Sequence, residues 1–241
     1  MNPLIRLIPP GLVRVFARPY VAGDSLAAGV DAAARLMEKR GLHTTLDLLA
    51  EDIERQEVAQ RNLDTYLSMV DSVASDPRFT EASRPTVSLK LSSYTTAPLE
   101  DGGDAAGARA AAFEIAERAK ERCVQLSIDM EGRAWTDFTL DTLAELHRAG
   151  YDHVGAVIQT RLNRTSEDLD RLPPRCRVRL VIGIYHEPES VATTDKREMK
   201  QRMLDYAAVL LERGHYVEFA THDDRYVRRF LEDLDAALED S

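Results

Sequence analysis

Several short apolar segments of this chain end on residues that can bind or move charge. The run SLKLSS carries Lys90, and IDME carries Asp129, Met130 and Glu131. Gln159 closes VGAVIQ, and Arg161 follows it. RLVIGIYHEP opens near Arg179 and runs through Ile182, Gly183 and Ile184 to Tyr185, His186 and Glu187. FATHDD presents Thr221, His222 and Asp223. Each residue alone has a plain structural use. Lys90 in a buried segment needs a carboxylate, and Asp129 is the obvious one for a structural ion pair. Gln159 can satisfy backbone groups, Tyr185 can pack in a core, and an isolated His222 is more often structural than catalytic. His186-Glu187 lacks the second histidine that a zinc helix needs four residues on. Together, Lys, Asp, Gln, Arg and His at successive segment ends exceed what packing requires, because buried polar groups need partners. Three chemistries can use them. One is a flavin or similar cofactor, with the backbone at Gly183 approaching a ring. The second is a metal-dependent hydrolase with Asp129, Glu131, His222 and Asp223 as ligands. The third is no catalysis at all, in an inactive relic or an assembly subunit.

These residues must be positioned by regular elements. Six β-branched or apolar runs read as strands, at 44–49, 85–91, 124–130, 154–159, 178–185 and 216–221. Several are nearly filled with apolar residues, the pattern of a parallel strand buried on both faces. Helical patterns separate them. Asp24 or Ser25 can cap a helix that stops at Gly41, and residues 53–74 have helical composition. An Ala-rich stretch spans 105–122; Thr136 and Thr194 can cap helices ending at Gly150 and Gly214. The segment Asp224–Glu239 places Val227, Phe230, Leu231, Leu234 and Leu238 on one face. The βα alternation implies a parallel sheet with right-handed crossovers. A Rossmann site needs glycines after the first strand, but AEDIERQE follows Leu49. The expected class is therefore α/β, of the (β/α)8 TIM-barrel type, with six βα units present and two missing. The expected organisation is an N-terminal helical arm over 1–43 and a partial barrel over 44–241. In a barrel, function gathers where the strands end, and the polar residues above lie there.

Composition removes other classes. The chain has 241 residues, 44% hydrophobic and 30% charged, which suits one globular domain. Its net charge of −10 argues against nucleic acid as a partner. No run reaches the roughly 18 apolar residues of a membrane span, and the start is a poor signal peptide. Cys123 and Cys176 lack metal-ligand spacing and read as buried, reduced thiols of a cytoplasmic protein.

The strand ends resemble those of the proline dehydrogenase family, FAD-containing (β/α)8 barrels of proline catabolism. The motifs are SLKLS (88–92), IDME (128–131), QTRLNR (159–164), RLVIGIYHEP (179–188) and FATHD (219–223). Five in order, each at an expected strand end, are specific. The resemblance implies oxidation of L-proline to Δ1-pyrroline-5-carboxylate, with a hydride passing from proline C5 to flavin N5. Asp129 and Arg179 take the roles tied most closely to catalysis. Lys90 would meet the substrate carboxylate, and Tyr185 would face the substrate. Met130, Gln159, Ile182, Gly183, Ile184, Thr221 and His222 would line the FAD. Electrons would pass to a quinone-type acceptor. The leading LIRLIPPGLVRVFARPY, apolar with Arg6, Arg14 and Arg18 interleaved, suits a peripheral membrane contact.

The chain departs from the family pattern at three positions. Ile182 replaces a lysine, Ile184 an alanine, and Arg161 an aromatic. The family also has a seventh and an eighth strand, and a final helix whose Arg pair binds the substrate carboxylate. The Arg228-Arg229 pair has helical surface spacing and is expected to be solvated. Completion by further polypeptide is expected, since open parallel edges invite association. The 241 residues alone are expected to self-associate in size-exclusion chromatography; a sharp monomeric peak with a cooperative melt would contradict this.

Overall fold

The computed structural model describes residues 22–23, 25–50 and 53–239, with side chains as far as Asp235. The interleaved-arginine segment and about half of the expected N-terminal arm lie outside the described residues, as does Asp24. Helix α1 (Leu26–Arg40) starts at Ser25, whose hydroxyl accepts from the Ala28 N–H at 3.3 Å, and closes at Gly41. It buries Val30, Ala33 and Ala34 against Phe79 and Leu46.

The elements then alternate as expected. They are β1 (Thr45–Asp47), α2 (Gln56–Ser75), β2 (Thr86–Leu89), α3 (Ala108–Glu121), β3 (Leu126–Ile128), α4 (Thr136–Arg148) and β4 (Val154–Gln159). A one-turn helix α5 (Thr165–Asp168) precedes β5 (Arg177–Val181), α6 (Lys196–Glu212), β6 (Tyr216–Phe219) and α7 (Asp224–Glu239). The six strands form one parallel sheet in sequential order. Side chains from strands that are not neighbours meet on one face. Arg179 on β5 donates to the Thr45 hydroxyl on β1 at 3.1 Å, and Arg177 reaches Thr86 on β2 at 3.3 Å. Only a strongly curled sheet brings those strands together. The fold is a half-barrel.

Burial on both faces, expected for several strands, holds for β2, β3 and β4, while β1, β5 and β6 are only partly buried. Successive side chains alternate between faces. Val87, Leu89, Leu126, Ile128, Ala156, Ile158, Val178 and Leu180 point outward into a core shared with Ile115, Leu143, Leu146 and Met203 of the helices. The concave face carries Thr86, Ser88, Lys90, Asp129, Arg177, Arg179 and Glu218. The run RLVIGIY departs from that expectation. Its strand starts earlier, at Arg177, and stops at Val181, so the apolar residues of GIY belong to the loop. Gly155 on β4 lies on the concave side, where a Cβ would strike the Arg177 carbonyl oxygen.

Two caps differ from expectation. Asp195, and not Thr194, caps α6, accepting from the Arg197 and Glu198 N–H groups at 2.7 and 3.1 Å. Its carboxylate is a stronger acceptor than a hydroxyl and also meets the helix dipole. Thr136 is already helical, because a 3-10 turn (Arg133–Trp135) precedes it. Cys176 is buried, but Cys123 is exposed in the turn after α3, at φ +53°. Among the described residues, no helix is long and apolar enough to cross a membrane.

The alternation makes a paired prediction. Leu126→Ala removes a fully buried outward side chain and is expected to cost about 2–5 kcal/mol in urea unfolding. Ser127→Ala, one position along, removes a buried hydroxyl that has no hydrogen-bond partner and is expected to cost less than about 1 kcal/mol. Equal costs would contradict the assignment of faces.

Candidate active site

A line of alternating charges crosses the concave face from the C-terminal ends of β1, β2 and β3 to the interior of β6 and the start of β5. Asp47 closes β1, and Lys90 follows β2. Lys90 Nζ lies 2.6 Å from Asp47 Oδ2 and 3.5 Å from Asp129 Oδ2, just past β3. Asp129 Oδ1 accepts from the Ser88 hydroxyl at 2.6 Å and lies 3.7 Å from Arg179 on β5. Arg179 Nε donates to Glu218 Oε2 on β6 at 2.7 Å, and Glu218 Oε1 accepts from Arg177 at 2.9 Å. Three carboxylates thus interleave with three cations. Such balance is what makes charge tolerable on a half-buried surface.

Helix α2 anchors one end of this line. The Tyr66 hydroxyl donates to Asp47 Oδ1 at 3.0 Å and accepts from the Leu48 N–H at 3.3 Å. Burial, and then the Asp47 charge, push the Tyr66 phenol above its ordinary range, so it stays a donor. Burial also pushes the Asp129 carboxyl up. Its bond from Ser88 and the charge of Lys90 oppose that push, and Asp47 reinforces it.

The rim beyond the strands is less charged. Gln159 is buried, and its amide nitrogen donates to the Met130 and Glu131 carbonyls at 3.0 and 2.8 Å. That pins two consecutive peptides at the end of β3, the structural use the sequence allowed for. Gly183 sits against Gln159 at φ +99°, where a Cβ would strike Gln159 Oε1 and lie 3.0 Å from Arg161 Cδ. Only glycine suits both the dihedral and the space. Ile182 is half-buried, and Ile184 is 87% exposed. The buried Arg161 turns under the loop and donates to the Tyr185 carbonyl at 2.5 Å. Glu131 is buried and accepts from the Ser92 N–H at 3.0 Å and from its hydroxyl. Past β6, Thr221 accepts from the Asp223 N–H at 3.2 Å, and His222 is exposed.

Of the residues singled out from sequence, Lys90, Asp129 and Arg179 meet directly. Met130, Gln159, Gly183 and Tyr185 gather beside them through the contacts of Gln159 and Arg161. Thr221 and His222 stand apart, toward α7. The nearest partner of Lys90 is Asp47, and Asp129 is second. The proposed metal ligands do not converge. Asp129 turns to Lys90 and Arg179, Glu131 to Ser92, and Asp223 to Lys200 at 2.5 Å. Among the described residues no three His, Cys, Asp or Glu side chains form a metal cluster. Sequence reasoning missed Asp47, Ser88, Arg177 and Glu218. Their signal was available as polar residues at period-two positions in TLD, TVSLK, RVR and YVEF.

The sequence model of the proline dehydrogenase family matches residues 30–238. The chain is 33% identical over 222 residues to a proline dehydrogenase of Deinococcus radiodurans, covering 89% of this chain and 68% of that protein. It is 29% identical over 217 residues to proline dehydrogenase 2 of Bacillus subtilis, covering 89% and 67%. This chain belongs to the proline dehydrogenase family. Its fold is similar to that of proline utilization A from Bdellovibrio bacteriovorus inactivated by N-propargylglycine (TM-score 0.75, 20% identity, 90% of this chain and 26% of that one). The same protein from Bradyrhizobium japonicum gives a TM-score of 0.71 at 23% identity, over 88% and 24%. The chain thus spans about a quarter of the length of those proteins.

The family is one of proline-oxidising enzymes, and membership implies a flavin cofactor. The rim fits a planar, largely apolar ring. Gly183 leaves the loop bare of a side chain, Ile184 offers exposed aliphatic surface, and Gln159 Oε1 is a buried acceptor without a partner.

The Asp129 environment makes a prediction about stability. A carboxyl whose folded pKa is raised binds its proton more tightly when folded, so its ionisation opposes folding above that pKa. Asp129→Asn is therefore expected to melt no lower than the parent at pH 7. Its relative gain should shrink as pH falls through the carboxylate range. A variant melting well below the parent at neutral pH would show that the ionised form is a net stabiliser.

Proposed function

We propose that this chain oxidises L-proline to Δ1-pyrroline-5-carboxylate with FAD as its resident cofactor. The observation that carries the reading is Asp129 held between Lys90 and Arg179 beside a glycine-bared loop. When bound, FAD supplies the acceptor for the hydride that leaves proline C5. The other tasks fall to residues of this chain. Lys90 Nζ offers the ammonium that meets the substrate carboxylate, and Asp47 and Asp129 fix where it stands. Arg179 supplies a permanent positive charge that favours an electron-rich flavin, since a guanidinium does not titrate in this range. Glu218 and Thr45 hold that guanidinium in one orientation. Two cations beside the substrate also disfavour a protonated ring nitrogen, and the reaction needs that nitrogen neutral.

Tyr185 faces the substrate in this reading. Met130, Gln159, Ile182, Gly183, Ile184, Thr221 and His222 line the cofactor. We further assign two more βα units to close the half-barrel into a (β/α)8 barrel. The cross-face contacts of β5 with β1 and β2 support that curvature. Division into an arm over 1–43 and a barrel over 44–241 belongs to the same reading. So do a cytoplasmic location, a quinone-type acceptor, and a peripheral membrane contact through the leading segment.

The purified protein is expected to absorb at flavin wavelengths and to bleach with L-proline under anaerobic conditions. Arg179→Met is expected to slow that bleaching tenfold or more, about 1.4 kcal/mol per decade. A colourless protein would favour the inactive relic. Unchanged bleaching in the variant would remove Arg179 from the chemistry.

A further inference from the structure

One end of the charge line is fixed by a buried phenol that touches neither substrate nor cofactor in the reading above. Tyr66 is fully buried on the inner face of α2, together with Asn62, Met69, Val70 and Val73. Its hydroxyl donates to Asp47 Oδ1 at 3.0 Å and accepts from the Leu48 N–H at 3.3 Å. The other carboxylate oxygen of Asp47 lies 2.6 Å from Lys90 Nζ. Phenol, carboxylate and ammonium thus form one chain from the core to the concave face. Burial and the Asp47 charge keep the phenol protonated, so it remains a donor.

The same helix grips the backbone that follows Lys90. A 3-10 turn (Leu91–Tyr94) starts directly after it. Asn62 Nδ2 donates to the Ser93 carbonyl at 2.9 Å, and the Ser93 hydroxyl donates to the Ala50 carbonyl at 2.7 Å, which ties the turn to the loop after β1. The Tyr66 and Tyr94 rings meet edge to face, with centroids 5.7 Å apart. The backbone at Lys90 is therefore held without the Tyr66 hydroxyl. What the hydroxyl adds is the placement of Asp47, whose side chain is 27% exposed and can otherwise turn to water. A lysine stem is flexible, so an ammonium whose carboxylate partner moves must be ordered afresh when an anion binds. Ordering one such side chain costs enough to weaken binding about two- to tenfold.

We infer that Tyr66 is a positioning residue: by holding Asp47 it sets the place of the Lys90 ammonium, and with it the affinity of the site for a small carboxylate. The inference rests on the reading of Lys90 as the group that meets the substrate carboxylate. The hydroxyl acts on binding and not on the departure of the hydride.

The test uses the whole chain and cyclopentanecarboxylate, which keeps a five-membered ring and a carboxylate but has no ring nitrogen to support oxidation. Calorimetry measures its binding, and L-proline turnover is followed separately. Tyr66→Phe keeps the ring and removes the hydroxyl. It is expected to weaken the carboxylate about three- to tenfold and to raise KM for L-proline by a similar factor, with kcat held within about twofold. In an Asp47→Ala background the same change is expected to have no further effect. Val70→Ala, one turn along the same buried face, is the structural control. It is expected to lower the melting temperature and to leave carboxylate binding unchanged. Binding unaffected by Tyr66→Phe, a loss of the same size in the Asp47→Ala background, or an equal loss in Val70→Ala overturns the inference. So does a chain that binds no carboxylate. Tyr66-dependent binding in a protein that leaves L-proline unoxidised upholds the positioning role and rejects the proposed reaction instead.

Discussion

Charge confined to one face of a curled sheet is the constraint on which this molecule depends. The outward faces of the strands are aliphatic and pack against helices. The concave face would be costly to bury were its charges not matched from strand to strand. Glu218, Arg179, Asp129, Lys90 and Asp47 satisfy one another in turn across β6, β5, β3, β2 and β1. Truncating Glu218 leaves Arg177 and Arg179 without their close carboxylate, which in a half-buried site costs more than the lost pair was worth. The same line sets two cations beside a carboxyl whose proton affinity burial raises.

The rim adds what the charge line lacks. Gln159 fixes the peptides after β3, and Arg161 turns beneath the loop after β5. Gly183 accepts the resulting close approach. Ile182, Ile184 and Arg161 gather here. Ile182 is tucked partly inside, and Ile184 projects into solvent. An exposed isoleucine beside a polar face is costly in water and useful against a planar ring. Arg161 keeps the loop in position by donating to the Tyr185 carbonyl. The charge balance across the molecule follows a related division. Acidic residues dominate overall, yet Lys196, Arg197, Lys200, Arg225 and Arg229 collect between α6 and α7.

Much of this was legible in the chain alone. Strand–helix alternation, the parallel sheet, the helix stops at Gly41, Gly150 and Gly214, and the α7 boundaries were all readable. So was the family, from five short motifs at strand ends. Contiguous hydrophobicity implied burial on both faces, which holds for β2, β3 and β4. It misled at RLVIGIY, which mixes a strand end with a loop. The neighbouring RVR carried the true signal, since charges two residues apart must share a face.

What the sequence determined by itself was local and periodic: which segments are strands, which are helices, and which polar residues end them. Period and composition are properties of neighbours along the chain, so they need no fold to be read. Only the tertiary structure decided the partners. It put Asp47 nearer to Lys90 than Asp129 is, set Glu218 against Arg179, and drew Asp223 away from Asp129 and Glu131. Those choices follow from how tightly the sheet curls and where each strand ends in register. Both depend on packing between segments separated by tens of residues, which no local pattern encodes.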